Sequence, residues 1–357
     1  MSRDAEVVVV GAGVTGVASA RALARAGWQT LLLEQHELGH TRGSSHGASR
    51  IFRLAYPDAH YVALAQEAHR SWLELEAETG SPLILRTGSL DIGDVAVANA
   101  AALEACGVPF ELLDGRTAAA RWQIALEPDE RLLFHAAGGT MLADKAIGAL
   151  LSGAQDAGAE VRDRTPVVQL RTESGAVVLD LGNEILKARA AVVAAGAWAR
   201  ALLAPTDYDL DVVPTRETVS YFELPGASEL PTIIDYDLLP QGIARDGKRA
   251  LYGLNAPSIG LKAGFHRGGS PTDPDLEGEP DPTLVAWTRE WIAQRFPTAV
   301  ATAFSSETCI YTNTPDQSFV IEPHGRIVVA SACSGHGFKF APAHGDAIAR
   351  LVAESLG

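Results

Sequence analysis

Hydrophobic and polar positions fall into short β-branched runs that alternate with longer stretches of helical period. Residues 6–10, Glu6 followed by four valines, form a compact β-branched run, the pattern of a strand buried on both faces of a parallel sheet. Residues 14–26 are Ala-rich and helical in period, and residues 28–33 form a second strand that ends at Glu34. Leu64, Ala68, Trp72 and Leu75 recur at helical spacing within residues 61–79, with charged residues between them, which predicts an amphipathic helix. Further on, residues 88–92 predict a strand, 97–104 a helix, and 142–157 a helix closed by Gly158. Residues 167–170 and 177–181 alternate like the arms of a hairpin about Glu173-Ser174-Gly175, and residues 190–195 form an apolar strand that stops at Gly196.

From about residue 213 the rhythm changes. Residues 219–222, 232–235, 250–253 and 261–265 read as short strands separated by Pro- and Gly-containing turns, as in an antiparallel sheet. Residues 42–49, rich in Gly, Ser and His, and the polar residues 268–283 read as loops. Residues 284–296 and 346–355 predict helices, and 326–331 a strand. The first strand and the last helix are thus expected in one unit, with the middle segments supplying another.

Composition narrows the partners. At 357 residues, 47% hydrophobic and 20% charged, the chain is long and apolar enough for one or two ordinary domains. Its 29 Lys and Arg against 44 Asp and Glu leave a net charge of −15 with no basic run, so neither nucleic acid nor an anionic membrane is an expected partner. An anionic small molecule stays open, because a few buried cations reverse the potential locally. The three cysteines, Cys106, Cys309 and Cys333, include no C-x-x-C pair, which predicts a reducing compartment and no metal site. No apolar run reaches the length of a membrane span, and Glu6, Gly11 and Gly13 interrupt the N-terminal stretch, so the expected location is cytoplasmic.

Gly11-Ala12-Gly13-Val14-Thr15-Gly16 matches G-x-G-x-x-G with a strand before it and a helix after it. Gly11 serves the tight turn, Gly13 the approach of a pyrophosphate and Gly16 close helix–strand packing, with the phosphates at the positive helix end. Glu34, at the end of the second strand, is placed to accept from ribose hydroxyls and disfavours a 2′-phosphate. The motif does not separate FAD from NAD.

Four more segments narrow the choice: Gly43-Ser44-Ser45-His46-Gly47-Ala48-Ser49-Arg50-Ile51-Phe52-Arg53, Gly260-Leu261-Lys262-Ala263-Gly264-Phe265-His266, Cys309-Ile310-Tyr311-Thr312-Asn313-Thr314-Pro315-Asp316, and Ser334-Gly335-His336-Gly337-Phe338-Lys339-Phe340. Together with Ala194-Ala195-Gly196-Ala197-Trp198, they resemble the monomeric sarcosine oxidase and N-methyltryptophan oxidase family over nearly the whole chain. These are flavin amine oxidases of the D-amino-acid oxidase fold group. The chain departs from the family at Ala48-Ser49, where Asp-Thr is usual, and residues 256–260 are one residue short.

The resemblance implies a mixed α/β (α+β) fold: a Rossmann-like FAD-binding domain interleaved with an antiparallel-sheet substrate domain. Residues 1–82, about 141–212 and 305–357 would form the first, and about 83–140 and 213–304 the second. It implies FAD attached covalently through Cys309 to the flavin 8-methyl group. Gly11, Gly13, Gly16, Glu34, Ser44, Ser45, Gly335, His336, Gly337 and Phe338 would hold the cofactor. His46 and Arg50 would lie beside the isoalloxazine, with Lys262 over it as the site of oxygen activation, where a fixed cation stabilises developing negative charge. His266 lies four residues beyond Lys262 and on a strand faces the same way; Tyr311 completes the catalytic set. Arg53 and Lys339 would grip the substrate carboxylate, and Tyr252 would line the pocket.

The expected reaction is oxidation of a secondary amino acid, N-methyl or cyclic, to an imine, with oxygen reduced to hydrogen peroxide. The expected partners are that amino acid and molecular oxygen, and the expected state is a monomer. Rival readings are an FAD oxidase or dehydrogenase of a D-amino acid or primary amine, or a non-catalytic flavin-binding sensor or interaction protein. Lys262 argues against the dehydrogenase, and covalent attachment argues against a typical D-amino-acid oxidase.

Overall fold

The computed structural model describes residues 5–357; residues 1–4, assigned above to the cofactor domain, lie outside it. The four valines of Val7–Val10 are all buried. They pair in parallel with Thr30–Leu33 on one side and Ala190–Val193 on the other. Glu160–Arg162 and Ile327–Ser331 extend this sheet in parallel, and Val320–His324 closes one edge antiparallel, making six strands among the described residues. Side chains alternate between the two faces of a strand. Val7, Val9 and Leu32 accordingly join a core with helices Val14–Arg25, Ala59–Thr79, Ala143–Asp156 and Ala341–Leu356. Val8, Val10, Leu31 and Leu33 join a second core under the meander Gln169–Glu173, Ala176–Asp180 and Ile185–Ala188. Burial on both faces is why these strands carry no polar alternation.

Among the described residues the second large sheet has nine strands. Its order is Ser270–Pro271, Val213–Phe222, Gly260–His266, Ala250–Ala256, Thr232–Asp235, Ser89–Ile92, Arg131–His135 and Glu111–Asp114, with Ser305–Asn313 also paired to Val213–Phe222. The pairing is antiparallel except between Thr232–Asp235 and Ser89–Ile92. One face of the sheet packs Ile233, Leu251, Leu261, Ala263 and Phe265 beneath helix Pro282–Arg295. Asp235 anchors that helix by accepting from Trp291 Nε1 at 2.9 Å and Arg295 Nε at 2.7 Å. The opposite face of the sheet is turned to a large cavity.

Two expectations change. The segment read as a loop over 42–49 runs into a strand, Ser49–Phe52, paired antiparallel with Gly139–Leu142. Its partner is about 90 residues away, so only tertiary pairing turns this polar, Arg-bearing run into a strand. Ser305–Asn313, expected with the cofactor domain, lies along Val213–Phe222 for its full length and belongs to the nine-stranded sheet. Among the described residues, no helix is long and apolar enough to cross a membrane.

Candidate active site

The glycine-rich turn is built for close approach. Gly11 has φ +102°, and a Cβ there would stand 2.6 Å from the Ala194 carbonyl oxygen. A Cβ on Gly16 would stand 1.7 Å from the Gly11 carbonyl oxygen, so helix and turn can touch only without one. Gly13 caps helix Val14–Arg25, whose first turn carries no acid, so its positive end is left to an anion. Ser45 Oγ accepts from Val14 N–H at 3.0 Å and ties the 43–53 segment to this helix start. Glu34 is buried and accepts from the N–H groups of Ala12 and His36 at 2.8 and 2.9 Å. Burial pushes its carboxyl up, but bonds from His40 and from these two N–H groups outweigh that and hold it below the ordinary range. It is therefore a carboxylate with lone pairs left for hydroxyls.

From this turn a cavity of about 1460 Å³ runs past Ser44 and Ser45 to Lys262, Tyr252, Arg53 and Lys339. Small-molecule sites commonly span about 300–1,000 Å³, so this one has room for a dinucleotide and a second ligand.

The far wall is one face of the nine-stranded sheet, and strand periodicity decides who lines it. Lys262, Gly264 and His266 share a face, as do Glu307, Cys309 and Tyr311 on Ser305–Asn313. Register aligns these faces: Tyr252 stands opposite Gly264, Tyr221 opposite Lys262, Val219 opposite Glu307 and Glu217 opposite Cys309. Gly264 makes room for Tyr252, whose hydroxyl would lie 2.7 Å from a Cβ at that position. His266 and Tyr311 have ring centroids 5.7 Å apart. The 334–340 segment closes over them. A Cβ on Gly335 would meet the Tyr311 ring at 2.3 Å, and one on Gly337 would meet Ala332 O at 1.7 Å. These glycines therefore answer to protein packing as well as to any planar ligand.

Arg50, Arg53, Lys262 and Lys339 face the cavity. Arg50 folds the preceding loop about itself: Nη2 donates to Ser44 O and His46 O at 2.8 and 2.6 Å, and Nη1 to Ser49 O at 2.8 Å. Arg53 Nη1 donates to Asp91 Oδ2 at 2.8 Å and to the Tyr236 hydroxyl at 3.2 Å. Lys339 Nζ donates to the Tyr56 hydroxyl at 2.9 Å and to His336 O at 2.8 Å. Lys262 Nζ lies 3.8 Å from Glu307 Oε1. Both lysines are only 5% exposed. Burial, and then Arg53, push the Lys339 ammonium far below its usual range. Burial and Arg50 bring Lys262 down to about 8. The two imidazoles are neutral: burial and Arg50 take His46 to about 4, and burial and Arg53 take His266 to about 3. Burial raises the Cys309 thiol to about 11, against the pull of Arg50 and Lys262.

The FAD dependent oxidoreductase family model matches residues 6–351. The chain belongs to the FAD dependent oxidoreductase family. It is similar to a monomeric sarcosine oxidase of Bacillus sp. (strain NS-129), 33% identical over 99% of this chain and 94% of the relative. It is also similar to the N-methyl-L-tryptophan oxidase of Salmonella arizonae, 29% identical over 98% and 95% of the two chains. Among solved structures, NikD, described as an unusual amino acid oxidase essential for nikkomycin biosynthesis, superposes in its open form with a TM-score of 0.87 at 26% identity. That match covers 99% of this chain and 95% of NikD. The chain is an FAD-dependent amine oxidoreductase, related to the sarcosine and N-methyltryptophan oxidases, which sets aside the non-catalytic reading. The residues present fit FAD. Gly11 and Gly13 clear a path at an acid-free helix start, Glu34 is ionised where ribose hydroxyls would reach it, and the cavity continues past Cys309 to the cation-lined wall.

The structure brings every residue singled out from the sequence to this cavity or, for Gly16, to the turn beside it. It adds residues that sequence reasoning missed. Asp91, Tyr236 and Tyr56 surround Arg53 and Lys339, and Tyr221 and Glu307 surround Lys262. Asp91 left one signal, a lone acid between Leu90 and Ile92 in a segment expected to be a strand. Tyr221 left none, since an aromatic in a strand is ordinary core material, and Tyr56 and Tyr236 stand outside the strands with no motif around them.

Proposed function

We propose that this enzyme oxidises a C–N bond of a secondary amino acid, N-methylated or cyclic, to an imine, with oxygen as the electron acceptor. The observation that carries the reading is the pair Arg53 and Lys339, whose charged ends stand 4.9 and 5.5 Å from the centroid of the same Tyr56 ring. A carboxylate between them accepts from the Arg53 guanidinium and from Lys339, whose ammonium form that anion stabilises, and this sets the orientation of the carbon attached to it. Asp91 balances Arg53, whereas the polar partners of Lys339 among the described residues are a hydroxyl and a carbonyl. The anion that completes the Lys339 site therefore comes with the substrate.

FAD, when bound, takes two electrons from the substrate and delivers them to oxygen, giving an imine and hydrogen peroxide. The chain's own residues set the conditions. The substrate nitrogen has to be unprotonated for the carbon next to it to lose hydride, and the cations Arg50 and Lys262 disfavour an ammonium near them. His266 and His46, held neutral, offer hydrogen bonds without adding charge. Lys262 is the fixed cation to which we assign oxygen activation, and Cys309, facing the cavity, is the residue to which we assign flavin attachment. The names of the Bacillus and Salmonella relatives point to N-methylated amino acids and support the same substrate class.

The test is anaerobic. The holoenzyme is mixed with sarcosine, N-methyl aromatic amino acids, proline, pipecolate, D-amino acids and simple amines, and flavin absorbance is followed. Rapid bleaching by an N-alkyl amino acid is the expected result. Bleaching by carboxylate-free or primary amines alone would discard the carboxylate grip and the substrate class with it.

A further inference from the structure

The sheet face that presents Lys262 also brings a carboxylate to it, for which oxidation of an amino acid has no obvious use. Glu307 lies two residues before Cys309, on the cavity face of Ser305–Asn313, with Oε1 3.8 Å from Lys262 Nζ. Tyr221 stands opposite Lys262 in register, and its hydroxyl donates to the same Oε1. Lys262 Nζ is also 5.7 Å from the Tyr221 ring centroid. A Cβ on Gly47, which has φ +95°, would lie 3.6 Å from Lys262 Nζ, Arg50 Nη1 and Glu307 Oε1 alike, so these three charged groups converge on one point. Glu307 keeps 38% of its side chain exposed and had water available as a partner; the Tyr221 hydroxyl turns it inward instead.

We propose that Glu307, held by Tyr221, is a positioning residue that keeps Lys262 protonated and directed at the cavity, and so sets the pH range over which the enzyme reacts with oxygen. The inference rests on the reading of Lys262 as the oxygen-activating cation. The groups facing Lys262 come from several elements: Arg50 from Ser49–Phe52, His46 from the loop before it, Glu307 and Cys309 from Ser305–Asn313, Tyr221 from Val213–Phe222, and Asp144 from Ala143–Asp156. Burial and Arg50 drive the ammonium toward losing its proton. Cys309 carries no charge at pH 7, whether as the free thiol or as the thioether of an attached flavin, so Glu307 and Asp144 are the acidic groups that oppose them, and Glu307 is the one at ion-pair distance. The first electron passed to oxygen leaves an anion, which an ammonium stabilises and a neutral amine does not. Reoxidation therefore falls as pH rises through the Lys262 pKa, and without Glu307 that fall begins at lower pH.

Glu307→Gln and Tyr221→Phe holoenzymes test this with two readouts. One is the rate of reoxidation of photoreduced enzyme by oxygen across neutral and alkaline pH. The other is the pH dependence of reductive methylation at Lys262, read by peptide mass spectrometry, which reports the ammonium without any turnover. Glu307→Gln should move both inflections down by about one pH unit, the low end expected for loss of a nearby, partly screened counter-charge. Tyr221→Phe should move them in the same direction by less. Inflections that coincide with those of the parent, or that rise, overturn the proposal. Lys262→Met separates the two claims: if it reacts with oxygen as fast as the parent, the underlying reading of Lys262 is lost. If it is slow while Glu307→Gln is unshifted, only the role of Glu307 is lost.

Discussion

Lys339→Met keeps most of the side-chain volume and removes one cation from the proposed carboxylate grip. Lys339 is 5% exposed, so water screens its contact with a bound carboxylate weakly. A hydrogen bond to a charged group is worth about 1.5–3 kcal/mol. At about 1.4 kcal/mol per tenfold, its loss should lower kcat/KM for an N-methyl amino acid by ~10- to ~150-fold. The neutral carboxamide of the same substrate accepts from Lys339 without forming an ion pair and should lose less. The assay is therefore the ratio of kcat/KM for sarcosine to that for sarcosinamide, which should collapse in the variant. Stability should hold or rise, because a buried ammonium without a carboxylate partner is replaced by an apolar chain. The Tyr56 hydroxyl keeps His336 Nδ1 at 3.4 Å as a partner. An equal fall for acid and amide would refute the reasoning, since it would show Lys339 acting through structure and not through the substrate carboxylate.

Cys309→Ser should release its FAD on acid precipitation while the parent pellet stays yellow; a parent that also releases FAD removes the covalent link. Asp91→Ala should destabilise the fold by about 2–4 kcal/mol in chemical denaturation, because it leaves the largely buried Arg53 charge without its carboxylate. Added acetate should restore part of this loss by supplying the missing anion, and a cost below about 1 kcal/mol would mean that Arg53 does not depend on Asp91. Burial holds His135, His266 and His344 each near 3 in the folded protein, against about 6.5 in an unfolded chain. Their folded forms are neutral, so this stabilisation is complete above about pH 6.5 and is lost as pH falls toward the folded values. Thermal midpoints should decline steadily on that acid side; a flat profile down to about pH 4 would show that these histidines are not the sensitive groups.

The sequence alone determined those parts of the protein in which one segment carries its own physical reason. Val7–Val10, Gly11, Gly13, Gly16 and Glu34 form a single strand–turn–helix–strand unit legible as one motif; Gly16 is demanded by Gly11 five residues away, while Gly11 answers to Ala194 at the end of the adjoining strand and Gly13 lies against Ser45. The cation-bearing runs around Arg53, Lys262 and Lys339 were equally visible, because each is a continuous motif. Only the tertiary structure decided which groups surround those cations. Asp91 reaches Arg53, Glu307 reaches Lys262 and Tyr56 reaches Lys339 from segments 38, 45 and 283 residues away. The strands Ser49–Phe52 and Ser305–Asn313 likewise take their place from their partners. Strand periodicity says which side chains share a face, but register and strand order say whose faces meet, and both are set by pairing across the whole chain.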